Sequence, residues 1–239
     1  MSDASGIRTE TLEVRRTARV AMLGPAGPAL RGVRELWYVL HGYGMRAVPF
    51  LENCRAVEDG SRLLVAPEGL SRFYEGDLNT LSHRTAPVGA SWMTRDEREY
   101  EIADYLHYLD DLHATVMASL GGASPVITVL GFSQGGATGA RWVANGRVPA
   151  ERLILWGSGL APELDIAGRD TPLRRAEMVF VVGKTDIYIT PKIVQKEVER
   201  LRAAGFPFRF VSFDGGHRLD DATLRALAEG ISADRSETR

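Results

Sequence analysis

Short, mostly apolar runs recur along this chain at Leu36 to Leu40, Leu63 to Ala66, Val126 to Leu130, Leu153 to Trp156, Met178 to Val182 and Phe208 to Phe213. They do not alternate with polar residues, so each predicts a strand covered on both faces, as in a mainly parallel sheet. Helical stretches fill most of the gaps. Thr94 followed by Glu97 reads as a capping box, and Ile102, Leu106, Leu109, Val116 and Leu120 repeat at helical spacing until Gly121 and Gly122 stop the element. Thr190 with Pro191 opens a second helix, with Val194, Val198 and Leu201 on one side and Gly205 as its terminator. Asp220 or Asp221 caps a last helix carrying Leu224, Leu227 and Ile231. Nearer the start, Thr11 to Val14 and Ala18 to Leu23 predict an edge hairpin, while residues 1 to 10 are polar and expected to be disordered. Strands alternating with helices define an α/β fold with a mostly parallel central sheet and helices on both faces. No repeat, linker or low-complexity tract divides the 239 residues, so a single domain is expected.

Composition narrows the function. Lys plus Arg at 29 against Asp plus Glu at 31 leaves a net charge of −2, with no basic excess to neutralise nucleic acid or an anionic membrane. Hydrophobic residues at 44% and charged residues at 25% match an ordinary soluble globule, which excludes a disordered or fibrous chain. The uncharged stretch from Leu112 to Ala140 holds six glycines and Pro125, a composition unsuited to a membrane helix. Arginines precede Val20 to Leu30, but Gly24, Pro25, Gly27 and Pro28 break that stretch as an export leader. Cys54 is the one cysteine, so no internal disulfide and no cysteine metal cluster can form; a reducing, cytoplasmic location is expected.

The chemistry starts at Gly131-Phe132-Ser133-Gln134-Gly135. Alone, the string is weak evidence, and a plain tight turn with a helix-capping serine competes with it. Its placement is stronger. It follows the apolar run to Leu130 and opens a stretch with Ala137, Ala140 and Val143 at helical spacing. A serine on a sharp strand-to-helix turn has its hydroxyl lifted out of the sheet and set at a helix N-terminus, where the dipole favours developing negative charge.

A serine needs a base and an orienting acid. Gly183-Lys184-Thr185-Asp186 follows one strand and Asp214-Gly215-Gly216-His217 the next, giving the chain order Ser133, Asp186, His217. Asp214, Asp165 and Asp170 are rival acids. Among the other histidines, His83 falls in a long loop, and His113 on an apolar helical stripe reads as a core histidine. His107, Asp110, Asp111 and His113 do not gather three ligands on one helical face, so no metal site is expected. Leu40-His41-Gly42-Tyr43-Gly44 leaves the first strand as a glycine-rich turn opposite the serine, and the backbone N–H groups of Tyr43 and Gln134 are the expected anion donors.

These strings, together with Gly136 and Gly216-His217, resemble the carboxylesterase and phospholipase-like family of α/β-hydrolases that includes the acyl-protein thioesterases. The resemblance covers about residues 33 to 230. It implies a Ser-Asp-His hydrolase of esters or thioesters, with Tyr43 and Gln134 as oxyanion donors. Met45 stands where that family often carries Asp.

Only residues 157 to 177 separate the Leu153 strand from the Met178 strand, too few for a separate cap domain. The long connection from Pro67 to Met93 is therefore the expected pocket wall, with Phe73, Tyr74, Leu78, Leu81, Trp92 and Met93 offering apolar surface to an acyl chain. The leading expectation is a carboxylesterase for small to medium acyl esters, working without a cofactor through an acyl-serine intermediate. A lysophospholipase or acyl-protein thioesterase is the alternative, and a binding protein that keeps the fold without the chemistry is a third. The expected partner is a small ester, with no nucleic acid and no integral membrane association; a homodimer is left open.

Overall fold

The computed structural model describes residues 7–76, 82 and 84–230. In chain order its strands are β1 (Val20–Leu23), β2 (Glu35–Leu40), β3 (Arg62–Pro67), β4 (Ser71–Tyr74), β5 (Val88–Ser91), β6 (Val126–Phe132), β7 (Arg152–Trp156), β8 (Glu177–Gly183) and β9 (Arg209–Phe213). The helices are α1 (Ala47–Asn53), α2 (Arg98–Ser119), α3 (Gln134–Asn145), α4 (Pro172–Arg175), α5 (Pro191–Ala203) and α6 (Asp221–Ala228). Seven strands form one sheet in the order β1-β3-β2-β6-β7-β8-β9, and β4 pairs with β5 in a separate ribbon. Every pairing in the large sheet is parallel except β1 with β3.

The uninterrupted apolar runs explain the layers. Along β2, Leu36, Tyr38 and Leu40 enter a core shared with α2, α3 and α5, while Trp37 and Val39 enter a second core shared with α1 and α6. A strand whose successive side chains point to opposite faces needs apolar residues throughout when both faces are covered. All six apolar runs become strands of this sheet, and it has the α/β-hydrolase arrangement of helices on both faces.

Several local expectations give way. Thr11 to Val14 forms no strand: Leu12 and Val14 are 84% and 76% exposed, with no partner strand and no core behind them. The edge is closed instead by β1, antiparallel to β3 with Val20 opposite Pro67. The Thr94–Glu97 capping box is not made. Glu97 takes a left-handed backbone with φ of 49°, and Thr94 pairs with Glu101, its hydroxyl lying 3.1 Å from the Glu101 carboxylate. The last helix is capped as the pattern implies, Asp220 accepting the Thr223 N–H at 3.1 Å; Ile231 lies outside the described residues. The stop after α2 uses Gly121 and Gly122 at φ of 62° and 93°, a backbone region open to glycine. The β4–β5 ribbon, inside the connection read as a plain loop, has Ser71 opposite Ser91 and Tyr74 opposite Val88.

Candidate active site

Ser133 lies between β6 and α3 with φ 53° and ψ −119°, a strained conformation for a residue with a side chain. The surroundings force it. A Cβ on Gly131 would come within 2.2 Å of Gly135 O, and one on Gly135 within 2.2 Å of Leu40 O. Strand, elbow and the neighbouring turn are thus packed at backbone contact. The Ser133 N–H donates to Trp156 O at 2.9 Å and its carbonyl accepts from Gly136 N–H at 2.9 Å, fixing the turn from both sides.

The candidate acid and base, Asp186 and His217, arrive on two loops laced together. Lys184 N–H donates to Phe213 O at 3.0 Å and Thr185 N–H to Gly215 O at 2.9 Å. This brings His217 Nδ1 to 2.7 Å from Asp186 Oδ2. Asp186 Oδ1 accepts the N–H groups of Tyr188 at 2.8 Å and Ile189 at 2.9 Å. Burial alone would raise the Asp186 pKa, but the Ile189 amide, His217 and the Tyr188 amide outweigh it and hold the carboxyl below its ordinary range. The His217 ring is flanked by Phe132 at 4.7 Å and Tyr188 at 4.8 Å between centroids. A Cβ on Gly157, the residue after the Ser133-bonded Trp156, would lie 2.9 Å from the same ring. Serine elbow and imidazole are therefore neighbours across the ends of β6 and β7.

The rival residues go elsewhere. Asp214 is exposed and paired with Lys184 at 2.8 Å. Asp165 accepts the amides of Ala167 and Gly168, and Asp170 binds Arg175. His113 bonds the Tyr38 hydroxyl at 2.9 Å against the core, His107 is exposed, and His83 lies outside the described residues. Among the described residues no helix is long and apolar enough to cross a membrane, and no three His, Cys, Asp or Glu side chains gather as a metal site.

The turn at Gly42 is pressed against the elbow: a Cβ there would lie 3.2 Å from Ser133 Cβ and 3.1 Å from the Phe132 ring. His41, wholly buried, anchors it. Its Nε2 accepts the Gly69 N–H at 2.9 Å, which leaves Nδ1 to donate to Gly42 O at 2.7 Å. The bond accepted at Nε2 requires a neutral ring, and burial pushes the His41 pKa down in the same sense, outweighing the Gly42 bond that favours the cation. Gly44 N–H donates to Ala90 O at 2.9 Å, joining the turn to β5. The N–H of Gln134 is at the first position of α3, where no intrahelical acceptor exists.

Three side chains essential to this architecture escape a local reading. The Gln134 amide accepts Trp92 N–H at 3.1 Å and donates to Met93 O at 2.8 Å, clamping the exit of β5 to the elbow. Glu68, 1% exposed, accepts from Arg46 Nε at 2.9 Å, Arg72 Nε at 2.8 Å and Ala47 N–H at 3.1 Å, which seats the start of α1 behind the turn. Burial would raise the Glu68 pKa, but Arg46 and Arg72 hold it below the ordinary range. Arg141 is buried on α3, with Glu163 at 2.5 Å. Except for the i,i+4 contact of Arg72 with Glu68, these pairings span 21 or more positions that no motif announces.

The expected pocket wall needs one correction. Trp92 is 1% exposed, and its indole N–H donates to His41 O at 2.8 Å, so it supports the turn from inside and presents no surface to a substrate. A buried indole donor needs an acceptor, and the His41 carbonyl supplies it. Phe73 is half-buried and stacks on Tyr43 at 5.1 Å, Tyr74 is 45% exposed, and Met93 is half-buried beside Arg141. Leu78 and Leu81 lie outside the described residues.

A nucleophile-elbow serine, followed in chain order by an Asp–His pair at the carboxyl edge of a mostly parallel sheet, defines an α/β-hydrolase. Residues 38–221 match the model of the serine hydrolase (FSH1) family, and the chain belongs to that family. Among solved structures, acyl-protein thioesterase 2 of Zea mays is 17% identical, with a TM-score of 0.64 over 90% of this chain and 97% of that one. A carboxylesterase from Mesorhizobium loti is 17% identical, with a TM-score of 0.65 over 89% and 95%. The Bacillus cereus carboxylesterase is 14% identical, with a TM-score of 0.62 over 89% and 92%. These likenesses show the shared fold and agree with the resemblance carried by the motifs. No curated protein sequence matches the chain at a significant level.

Proposed function

We propose that this serine hydrolase is a carboxylesterase for small to medium acyl esters, with Ser133 as nucleophile, His217 as base and Asp186 as the orienting acid. The observation that carries this is the 2.7 Å Asp186–His217 pair beside a serine held in a strained elbow. Asp186 fixes the imidazole with its proton on Nδ1, leaving Nε2 to take the Ser133 hydroxyl proton as Oγ attacks the ester carbonyl carbon. The carbonyl oxygen gains negative charge, stabilised by the N–H groups of Tyr43 and Gln134 and by the N-terminal end of α3. Collapse expels the alcohol, which takes the proton from His217 and leaves an acyl-serine. Water then loses a proton to His217, attacks the acyl carbon and releases the carboxylic acid, restoring the Ser133 hydroxyl. No step calls for a metal or cofactor. The buried thiol of Cys54 suits residence in a reducing compartment.

An acyl-protein thioesterase is the second reading, favoured by one observation. Tyr43, Ile187 and Tyr188 are 61%, 76% and 63% exposed, offering apolar side chains at the surface to an acylated partner. The decisive experiment is labelling with a fluorophosphonate alongside hydrolysis of a nitrophenyl ester and an acyl-thioester. Wild-type protein should label and turn over. Ser133→Ala should do neither, with kcat lower by roughly 10⁴ to 10⁶. Residual ester turnover within about tenfold of wild type would remove Ser133 from the mechanism.

A further inference from the structure

A carboxylate without a partner stands beside the glycine turn that carries Tyr43. Glu75 directly follows β4, and its N–H still bonds across the ribbon to Pro87 O at 2.8 Å. Successive side chains of a strand point to opposite faces, so Glu75 shares the face of Phe73, which stacks on Tyr43 at 5.1 Å. That face meets the turn at backbone contact. A Cβ on Gly44 would come within 2.7 Å of Glu75 Oε1, and one on Gly89 within 2.6 Å of the same oxygen and 2.8 Å of Gly44 O. The two glycines thus leave the notch in which the carboxylate lies. Among the described residues no N–H, hydroxyl or cation bonds its oxygens. Arg46, which follows the turn, and Arg72 on β4 are both drawn to Glu68, at 2.9 Å and 2.8 Å.

A half-buried carboxylate to which the fold gives no donor carries a desolvation cost that a ligand cation offsets. The aromatic pair narrows the kind of cation. Phe73 packs on Tyr43, yet Tyr43 is 61% exposed, so part of its ring stays free. A ring face next to a fixed negative charge holds an alkylated ammonium, which attracts both and needs no directional hydrogen bond. The position suits an ester bound at Ser133. A Cβ on Gly42 would lie 3.2 Å from Ser133 Cβ, and Gly44 is two residues further on, at most about 7 Å of chain away. An ammonium a few methylenes from an ester group spans a comparable distance.

We propose that Glu75, with the rings of Tyr43 and Phe73, binds an alkylammonium group carried by the substrate, so that the enzyme selects cationic esters over neutral ones of the same shape. As a statement about substrate class it rests on the carboxylesterase reading above. The cation can sit on the alcohol or on the acyl side of the ester, and the chemistry that recognises it is the same.

Two measurements on the full chain test this. In the first, each cationic ester is compared with a neutral isostere: butyrylcholine with 3,3-dimethylbutyl butyrate for the alcohol side, and ethyl 4-trimethylammoniobutyrate with ethyl 5,5-dimethylhexanoate for the acyl side. In at least one pair the wild type should favour the cation by about fivefold or more in kcat/KM at low salt. That ratio should shrink as salt rises to about 0.5 M, and it should fall to about one in Glu75→Gln, which keeps the shape and removes the charge. The pair that shows the preference identifies the side. The second measurement needs no turnover: saturation transfer by NMR to the methyl protons of choline should exceed that to 3,3-dimethylbutanol, and the excess should vanish in Glu75→Gln. Should that variant fail to fold, the salt dependence of both readouts in wild type stands in for it. Ratios near one in both pairs, or a ratio unchanged by Glu75→Gln, would overturn the cation site while leaving the esterase intact. So would an equal fall for both members of each pair with a lower Tm, which would assign Glu75 to holding the turn. A protein that hydrolyses no ester yet transfers saturation selectively to choline through Glu75 would instead overturn the esterase reading and keep the site.

Discussion

Asp186 shows how one carboxylate is given a single task. Withdrawn from water, it would tend to protonate, but two loop amides and His217 each favour the anion, and together they prevail. The same bonds fix its Oδ2 toward the ring. Asp214, three residues before His217, has no such cage and faces solvent with Lys184. Asp186→Asn should therefore lower kcat by about 10⁴ through loss of the correct imidazole tautomer, while Asp214→Asn should stay within about threefold of wild type, because exposed ion pairs contribute little. Steady-state kinetics on both variants checks this, and the reverse ranking would move the acid role to Asp214. Glu68 offers the matching stability test. Its pKa is lowered in the fold, so its contribution is complete above the unfolded value of about 4.3 and is lost as pH falls through the folded value. Glu68→Gln should cost roughly 3 kcal/mol at neutral pH, since Arg46 and Arg72 lose a buried partner. Thermal melts across pH should show that gap closing in acid; a gap constant down to pH 3 would assign the effect to packing instead.

At the scale of elements, what the sequence reveals follows from how local each cause is. β2, β3 and β6 to β9 are legible because burial on both faces demands unbroken apolar runs, and α6 because Asp220 caps it from the adjacent position. The neighbourhood of Asp186 and His217 is legible for a related reason: both stand just past strands that pair in parallel, Gly183 opposite Phe213. The β4–β5 ribbon is hidden because its strands are four residues each and are joined by a long connection with no tight-turn signature. The place of Trp92 is hidden because its acceptor, His41 O, is 51 positions away. That place has a measurable consequence. Trp92→Ala opens a cavity under the turn and should cost about 3–5 kcal/mol, lowering Tm by at least about 6 °C. Because the indole has no surface toward a substrate, the dependence of kcat/KM on acyl length should run parallel to wild type. A selective loss on longer esters would return Trp92 to the pocket wall.

Across the whole molecule the sheet acts as a jig for one strained residue. Ser133 holds φ 53° because β6 delivers it under α3, Trp156 O on β7 grips its N–H, and Gly135 is pressed on Leu40 O at the end of β2. The strain is distributed over three neighbouring strands, and it costs roughly 1–3 kcal/mol for a residue with a Cβ. Glycine at this position relaxes most of that, and its greater freedom in the unfolded chain gives back about 0.4–1 kcal/mol. Ser133→Gly should therefore be inactive yet more stable than wild type, with Tm higher by about 2–5 °C. Ser133→Ala keeps the Cβ and should melt close to wild type, so the pair separates loss of the hydroxyl from release of the backbone. Calorimetry on the three proteins decides it. A Ser133→Gly protein that melts at or below wild type would mean that the elbow is comfortable for serine and that the fold bears no stability cost for its function.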